Sequence, residues 1–190
     1  MLKSAMVAGL LLIAAPAAAA PAAYQLNKDH TDVTFTINHL GFSLKHGWFR
    51  DISGVLNIDP SAPESGKLDV TIKSGSVDTN HAQRDKDISA PGWLDVAQFP
   101  DIHFVSSKVA RTSPDAADVT GALTLHGVTR PVTLHVKLNK SGPSPFTGQP
   151  TLGFTASGAL KRSDYGMTQF LPMIGDEVDI LIDAEFAAPK

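Results

Sequence analysis

The sequence predicts an all-β protein, an eight-stranded antiparallel up-and-down barrel with a short helical turn in one long connection. Three observations carry this expectation. Apolar and polar residues alternate along most of the chain, the period of strands with one dry face and one wet face. Proline- and glycine-rich breakers such as 60–66 and 141–150 separate the alternating runs. No stretch shows strong helical periodicity.

In chain order, residues 1–22 come first and read as a secretory signal peptide. A short positive start (Lys3) precedes an apolar run with Leu10, Leu11, Leu12 and Ile13, then a small-residue tail. Pro21 disfavours cleavage directly before it, so Ala20-Pro21-Ala22 followed by Ala23 is the preferred exit. That leaves 23–190 as one domain of about 168 residues, enough for a core without disulfides. A short strand around Tyr24 to Leu26 is a ninth candidate. Eight clearer ones follow, marked by Val33-Phe35-Ile37, Gly54-Leu56-Ile58, Leu68-Val70-Ile72 and Ile102-Phe104. The later four are Val119 to Leu125, Val132 to Leu138, Leu152 to Leu160 and Val178 to Phe186. Between Ile72 and Ile102, Ser89-Ala-Pro-Gly-Trp-Leu-Asp95 suggests a helical turn, with a serine cap and an early proline. Residues 39–54, rich in aromatics but broken by Gly41 and Gly47, read as the connection at one barrel end. A sandwich satisfies the same alternation, but long strands in consecutive order favour the barrel.

Composition narrows the function classes. There is no cysteine, which removes thiol catalysis and thiolate metal sites. The formal net charge is −3, and −4 once Lys3 is removed, with no basic run to meet nucleic acid. The seven histidines form neither an H-x-H pair nor an H-E-x-x-H motif, and there is no nucleophile elbow, P-loop or dinucleotide fingerprint. No catalytic residue, metal ligand or cofactor is assigned.

The inner faces carry almost no charge, so an occupant would be apolar. The expected lining is Phe35 and Ile37, Val70 and Ile72, Phe104, Leu123 and Leu125, Phe154, and Ile180 and Ile182. Phe42, Trp48 and Phe49 are expected to cap or line the mouth; an end plug without ligand contact is the alternative. Gly54, Gly121, Ala156 and Gly158 fall in phase with bulky neighbours, either as bulges that coil the sheet or as room for a ligand. Polar candidates for a head group are His39, Arg84, Lys161 and Arg162. Against this stands a local reading, in which Arg84-Asp85 fastens a loop and Asp164-Tyr-Gly166 is a turn.

Several runs resemble the YceI-like, or polyisoprenoid-binding-like, family. They are His30-Thr-Asp-Val-Thr-Phe-Thr-Ile-Asn-His-Leu40, Gly47-Trp-Phe-Arg-Asp-Ile-Ser-Gly54, Ser76-Val-Asp-Thr79 and Arg84-Asp85. Further matches are Phe99-Pro-Asp-Ile-His-Phe-Val-Ser106, Gly121-Ala-Leu-Thr-Leu-His-Gly-Val-Thr129, Arg162-Ser-Asp-Tyr-Gly166 and Gly175-Asp-Glu-Val178. Thr31 stands where the family usually has serine, and Lys161 where an asparagine commonly precedes the Arg-Ser-Asp turn. The resemblance implies a lipocalin-like barrel in the periplasm. It also implies an apolar lipid ligand, an isoprenoid quinone or polyprenyl chain, and, in some relatives, association with a membrane-bound b-type cytochrome. It supplies no catalytic residues. The leading expectation is a carrier that sequesters such a lipid. The alternatives are an enzyme on a small lipid-like molecule, motivated by His39, and a stress-linked module with a filled barrel.

Overall fold

The computed structural model describes residues 21–189, so the predicted signal peptide lies almost wholly outside the described residues. Eleven strands form one antiparallel sheet. They are β1 (Ala22–Leu26), β2 (Asp32–His39), β3 (Ser43–Phe49), β4 (Ile52–Ile58), β5 (Lys67–Lys73) and β6 (Val77–Asp78). The rest are β7 (Asp101–Arg111), β8 (Ala116–Leu125), β9 (Val128–Pro143), β10 (Pro150–Lys161) and β11 (Ile174–Ala187).

The sheet closes because β11 has two partners on one edge. Its residues Ile174 to Asp183 pair with β2, and Phe186 and Ala187 pair with β1. β1 and β2 are therefore two halves of one stave, joined by a 3-10 turn at Lys28–His30. The same holds for β3 and β4, which pair with β2 and β1, and for β5 and β6, which pair with β4 and β3. Counted this way, the barrel has eight staves in strict chain order, each hydrogen-bonded to the next and the last to the first. This is the predicted up-and-down barrel, and closure confines the open sheet edge to the upper end, where β6 and the first residues of β3 have no further strand partner among the described residues.

Antiparallel staves place alternate connections at opposite ends. The end called upper here carries the turn after β2, the long 79–100 connection, the β8–β9 turn and the loop 162–173. The lower end carries the first residue of β1, the 59–66 connection and the β7–β8 and β9–β10 turns.

Two expectations need correction. Residues 43–49 are a strand, not an end connection. The alternation there is misleading, because β3 carries Leu44 and Trp48 on its outer face and Lys45 and Gly47 on its inner one. The helix also lies earlier than expected: α1 spans Ala82–Ser89, and residues 91–94 that follow are hydrogen-bonded turns, not a helix. Its start is capped by the His81 ring, whose Nδ1 accepts the Arg84 N–H at 3.2 Å, so a cap search for Ser, Thr, Asp or Asn misses it.

The in-phase glycines are places where a neighbour's side chain or backbone fills the missing Cβ. At Gly121 a Cβ would stand 2.5 Å from the Phe104 ring and from the Val105 carbonyl oxygen. Gly121 also faces Ser106 where the β7–β8 register slips, so it marks a bulge. At Gly47 the ring of Phe35, its direct cross-strand partner, occupies the same place. Gly54 is closed off by Val70 and Gly158 by Leu134, so none of these glycines opens empty space.

Candidate functional site

Buried apolar residues gather mainly at the ends of the barrel. Tyr24, Leu56, Ile58, Leu152, Ala184 and Phe186 pack the lower end. Val77, Leu94, Ile102, Leu125, Tyr165 and Met167 pack the upper end, where Leu94 comes from the long connection. A smaller group, Phe104, Val132 and Leu134, thickens one wall.

Between these groups runs a chamber of about 1050 Å³, at the top of the ~300–1,000 Å³ typical of small-molecule pockets. Its lining reaches Pro60, Pro63 and Arg111 at the lower end and Trp93, Gln169 and Phe170 at the upper end. The staves thus enclose a passage along the axis, not a filled centre.

Eleven of the thirteen apolar candidates face this chamber: Phe35, Ile37, Phe49, Val70, Ile72, Phe104, Leu123, Leu125, Phe154, Ile180 and Ile182. Two do not. Phe42 stands at the tip of the β2–β3 turn and is 89% exposed. Trp48 lies on the outer face of β3, opposite in direction to Gly47 and Phe49, with the Arg50 guanidinium 5.1 Å from its ring centroid. Neither lines the chamber: Phe42 lies in a turn beyond the staves, and Trp48 points outward because a strand reverses direction at every residue.

The polar candidates divide in the same way. His39, Arg84 and Arg162 border the chamber at its upper end, whereas Lys161, next to inward-facing Leu160, projects into solvent. Arg84 is largely committed locally. Its Nε and Nη2 donate to Oγ1 and the carbonyl oxygen of Thr79, both at 2.8 Å, while Asp85 accepts from the Thr79 N–H and hydroxyl. The local reading of Arg84-Asp85 as a loop fastener describes these bonds.

Arg162 has a larger job. It is 2% exposed, and its Nε, Nη1 and Nη2 donate to the carbonyl oxygens of Gly175 (2.8 Å), Met167 (2.7 Å) and Ile174 (3.0 Å). Trp93 covers its face at 4.8 Å. One guanidinium therefore ties the loop 162–173 to the start of β11 and seats Trp93 at the mouth. Burial lowers its pKa from the ordinary value, and Asp176 pushes it back up. The loop itself opens with a 3-10 turn, Arg162–Tyr165, that ends on Gly166 at φ 80°, a left-handed conformation suited to glycine.

Asp176 completes this fastening by accepting the Ser163 N–H at 2.9 Å and the Ser163 hydroxyl at 2.8 Å. Burial raises its pKa, but the two Ser163 bonds and the charges of Arg162 and Lys161 outweigh that and hold it below the ordinary 3.8. A carboxylate depressed in the folded state stabilises the fold above its unfolded pKa, and that contribution is lost as pH falls through the folded value. Urea unfolding followed through the acid range is expected to show this loss, and Asp176→Asn is expected to flatten it. An unchanged acid limb in the variant would refute the assignment.

Lys45 is among the mouth residues that the sequence reading missed, with Trp93, Gln169 and Phe170. Lys45 lies opposite Ile37 on the inner face of β3 and lines the chamber. Its only signal was its phase with Gly47 and Phe49, masked by the apolar outer face. Six of the seven histidines have protein hydrogen-bond partners. His30 pairs with Asn27, His46 with Thr36, His103 with Asp69, His135 with Asp118 and His126 with the Tyr165 carbonyl, and His81 caps α1. His39 is the one that borders the chamber without such a partner among the described residues.

A small antiparallel barrel with an apolar passage down its axis belongs to the class built around an enclosed space, as opposed to those whose interior is filled by side chains. The chain belongs to the YceI-like family, whose domain matches residues 24–186. Protein YceI of Salmonella arizonae is 41% identical over 186 residues, covering 97% of this chain and 95% of its own. Among solved structures, BcnA of Burkholderia cenocepacia superposes with a TM-score of 0.77 at 23% identity, covering 84% of this chain and 98% of that one. A polyisoprenoid binding domain from Saccharophagus degradans gives a TM-score of 0.66 at 17% identity, covering 88% and 99%. At those identities the two structures establish a shared fold.

Proposed function

We propose that this protein is a binding protein that sequesters a long isoprenoid lipid, a polyprenyl chain or a ubiquinone-type tail, and carries it through the periplasm. The observation that carries the reading is the continuous apolar chamber of about 1050 Å³ along the barrel axis. Such a passage takes an elongated flexible apolar chain, at about 0.8 kcal/mol per methylene removed from water. The polar groups near its upper end, Lys45, His39 and Arg84, suit a head group left at the mouth. The name of the Saccharophagus relative supports the same cargo class. The leader at 1–22 supports export, and a quinone cargo would make a membrane-bound b-type cytochrome its natural partner. Carriage requires burial and shape, which this wall supplies, and requires no reacting group.

The test is to recover the protein from the periplasm of its native host and analyse its organic extract by mass spectrometry. A prenyl-chain lipid in stoichiometric amount is the expected result. An empty barrel that also fails to take up geranylgeraniol or ubiquinone from detergent would overturn the proposal.

A further inference from the structure

The described surface exposes eight large apolar side chains, and five of them, Leu40, Phe42, Leu44, Phe170 and Met173, stand together at the upper rim. Leu40 and Phe42 belong to the β2–β3 turn and Leu44 to the start of β3, while Phe170 and Met173 belong to the adjoining loop 162–173. The Leu40 N–H donates to the Met173 carbonyl oxygen at 2.9 Å, and His39 pairs with Ile174. Contiguous exposed apolar area of this kind marks an interaction site. Two of the five are also held in the left-handed region that disfavours side chains, Leu40 at φ 58° and Phe170 at φ 61°. Exposure and backbone strain both oppose folding here, which directs attention to a role in contact.

The patch segments themselves carry only basic ionisable groups, with Asp176 and Glu177 next in sequence. Residues 38–46 and 166–174 contain no carboxylate, and their ionisable groups are His39, Lys45 and His46, in a chain with 19 acidic and 16 basic residues. The facing side of the mouth differs, because α1 carries balanced charge, Asp85 and Asp87 beside Arg84 and Lys86. The patch is also continuous with the chamber, since Phe170, His39 and Lys45 belong to its lining.

We infer that this rim docks on an anionic lipid bilayer, the loop tips entering the interface and Lys45 facing the head groups, so that the mouth opens onto the acyl region. Small apolar tips beside a cationic group are the features of a protein that lies on a membrane without spanning it, and among the described residues no helix is long and apolar enough to cross one. For the cargo, the inference rests on the function proposed above: a prenyl lipid resides in a membrane and must pass between bilayer and chamber.

The experiment is flotation of the mature protein with vesicles of phosphatidylethanolamine and phosphatidylglycerol, compared with phosphatidylcholine alone. The test variant is Leu40→Asn/Phe42→Ser/Met173→Ser, three positions that do not line the chamber, with asparagine tolerant of the left-handed backbone at 40. Native protein is expected to float with the anionic vesicles and less so in high salt, and the variant to lose binding by about tenfold or more. Uptake of geranylgeraniol from detergent should be unchanged in the variant, while uptake from vesicles falls. Native protein that stays unbound, or a variant that floats equally well, would overturn the inference. So would a dimer abolished by the variant without vesicle binding, which would assign the patch to a second copy. Failure of uptake from detergent by both proteins would count against the carrier reading alone, because flotation is read independently.

Discussion

Replacing Ala156 by tryptophan is expected to abolish uptake of a long prenyl chain while the barrel stays folded. Ala156 is buried on β10 between Val136 of β9 and Ile182 of β11, and it faces the chamber. In a filled interior an added indole would be overpacking, with a cost of about 1–3 kcal/mol or more. In an open passage it has space to enter and apolar wall to cover, so stability should hold or rise. The indole would then obstruct the axis, and a ligand forced to stop short loses about 0.8 kcal/mol for each methylene left in water. Exclusion of only a few methylenes already weakens binding on the order of tenfold or more. Lipid uptake and the melting temperature, measured on the same variant, separate the outcomes. A lower melting temperature with undiminished uptake would mean that the passage is not where the ligand sits.

The largest stability effect is expected at Arg162. Arg162→Met keeps much of the side chain's length but leaves the carbonyl oxygens of Gly175, Met167 and Ile174 without their donor. Each buried group stranded in this way costs about 1–3 kcal/mol. With some water admitted on relaxation, the sum is expected near 3–5 kcal/mol, a large share of the roughly 5–15 kcal/mol that holds a domain folded. Arg162→Lys should recover only part of it, because one ammonium lacks the planar fork that reaches three carbonyls. Urea denaturation gives the magnitude. In a Trp48→Phe background, Trp93 emission would report whether the mouth loosens before the barrel opens. A loss under about 1 kcal/mol would show that the loop is held by other means.

The period-two faces were legible because a closed barrel imposes one rule on every stave, alternate residues in and alternate residues out. Phe35, Val70, Phe104, Leu123 and Ile180 obey it, and each is apolar on the inward phase. The rule misled at β3, where Trp48 and Leu44 face out and Lys45 and Gly47 face in. Hydrophobicity reports direction only when the outside of the barrel is polar, and the rim is not. The space around Gly47 was equally hidden, because the Phe35 ring that fills it arrives from the neighbouring strand. The role of Arg162 was out of reach for a related reason. The sequence marks it as a basic residue in a turn, but its meaning lies in carbonyls up to 13 positions away that become acceptors only once the loop has folded back.

The junction of the first and last staves sets the order in which the molecule can be completed. Thr34 and Leu181, 147 positions apart, meet across it. A chain delivered amino end first, whether from a ribosome or through a translocation pore, can zip neighbouring staves as they emerge, but the outer edge of the first must wait open for the final segment, Ile174–Ala187. Until then the sheet is an open ribbon with two sticky borders and an uncovered oily face, a form prone to slow folding and to association with other chains. An escort that shields that ribbon, or export in an unfolded state followed by rapid release of the carboxyl end, would therefore govern the yield of finished barrels more than the stability of the closed one does.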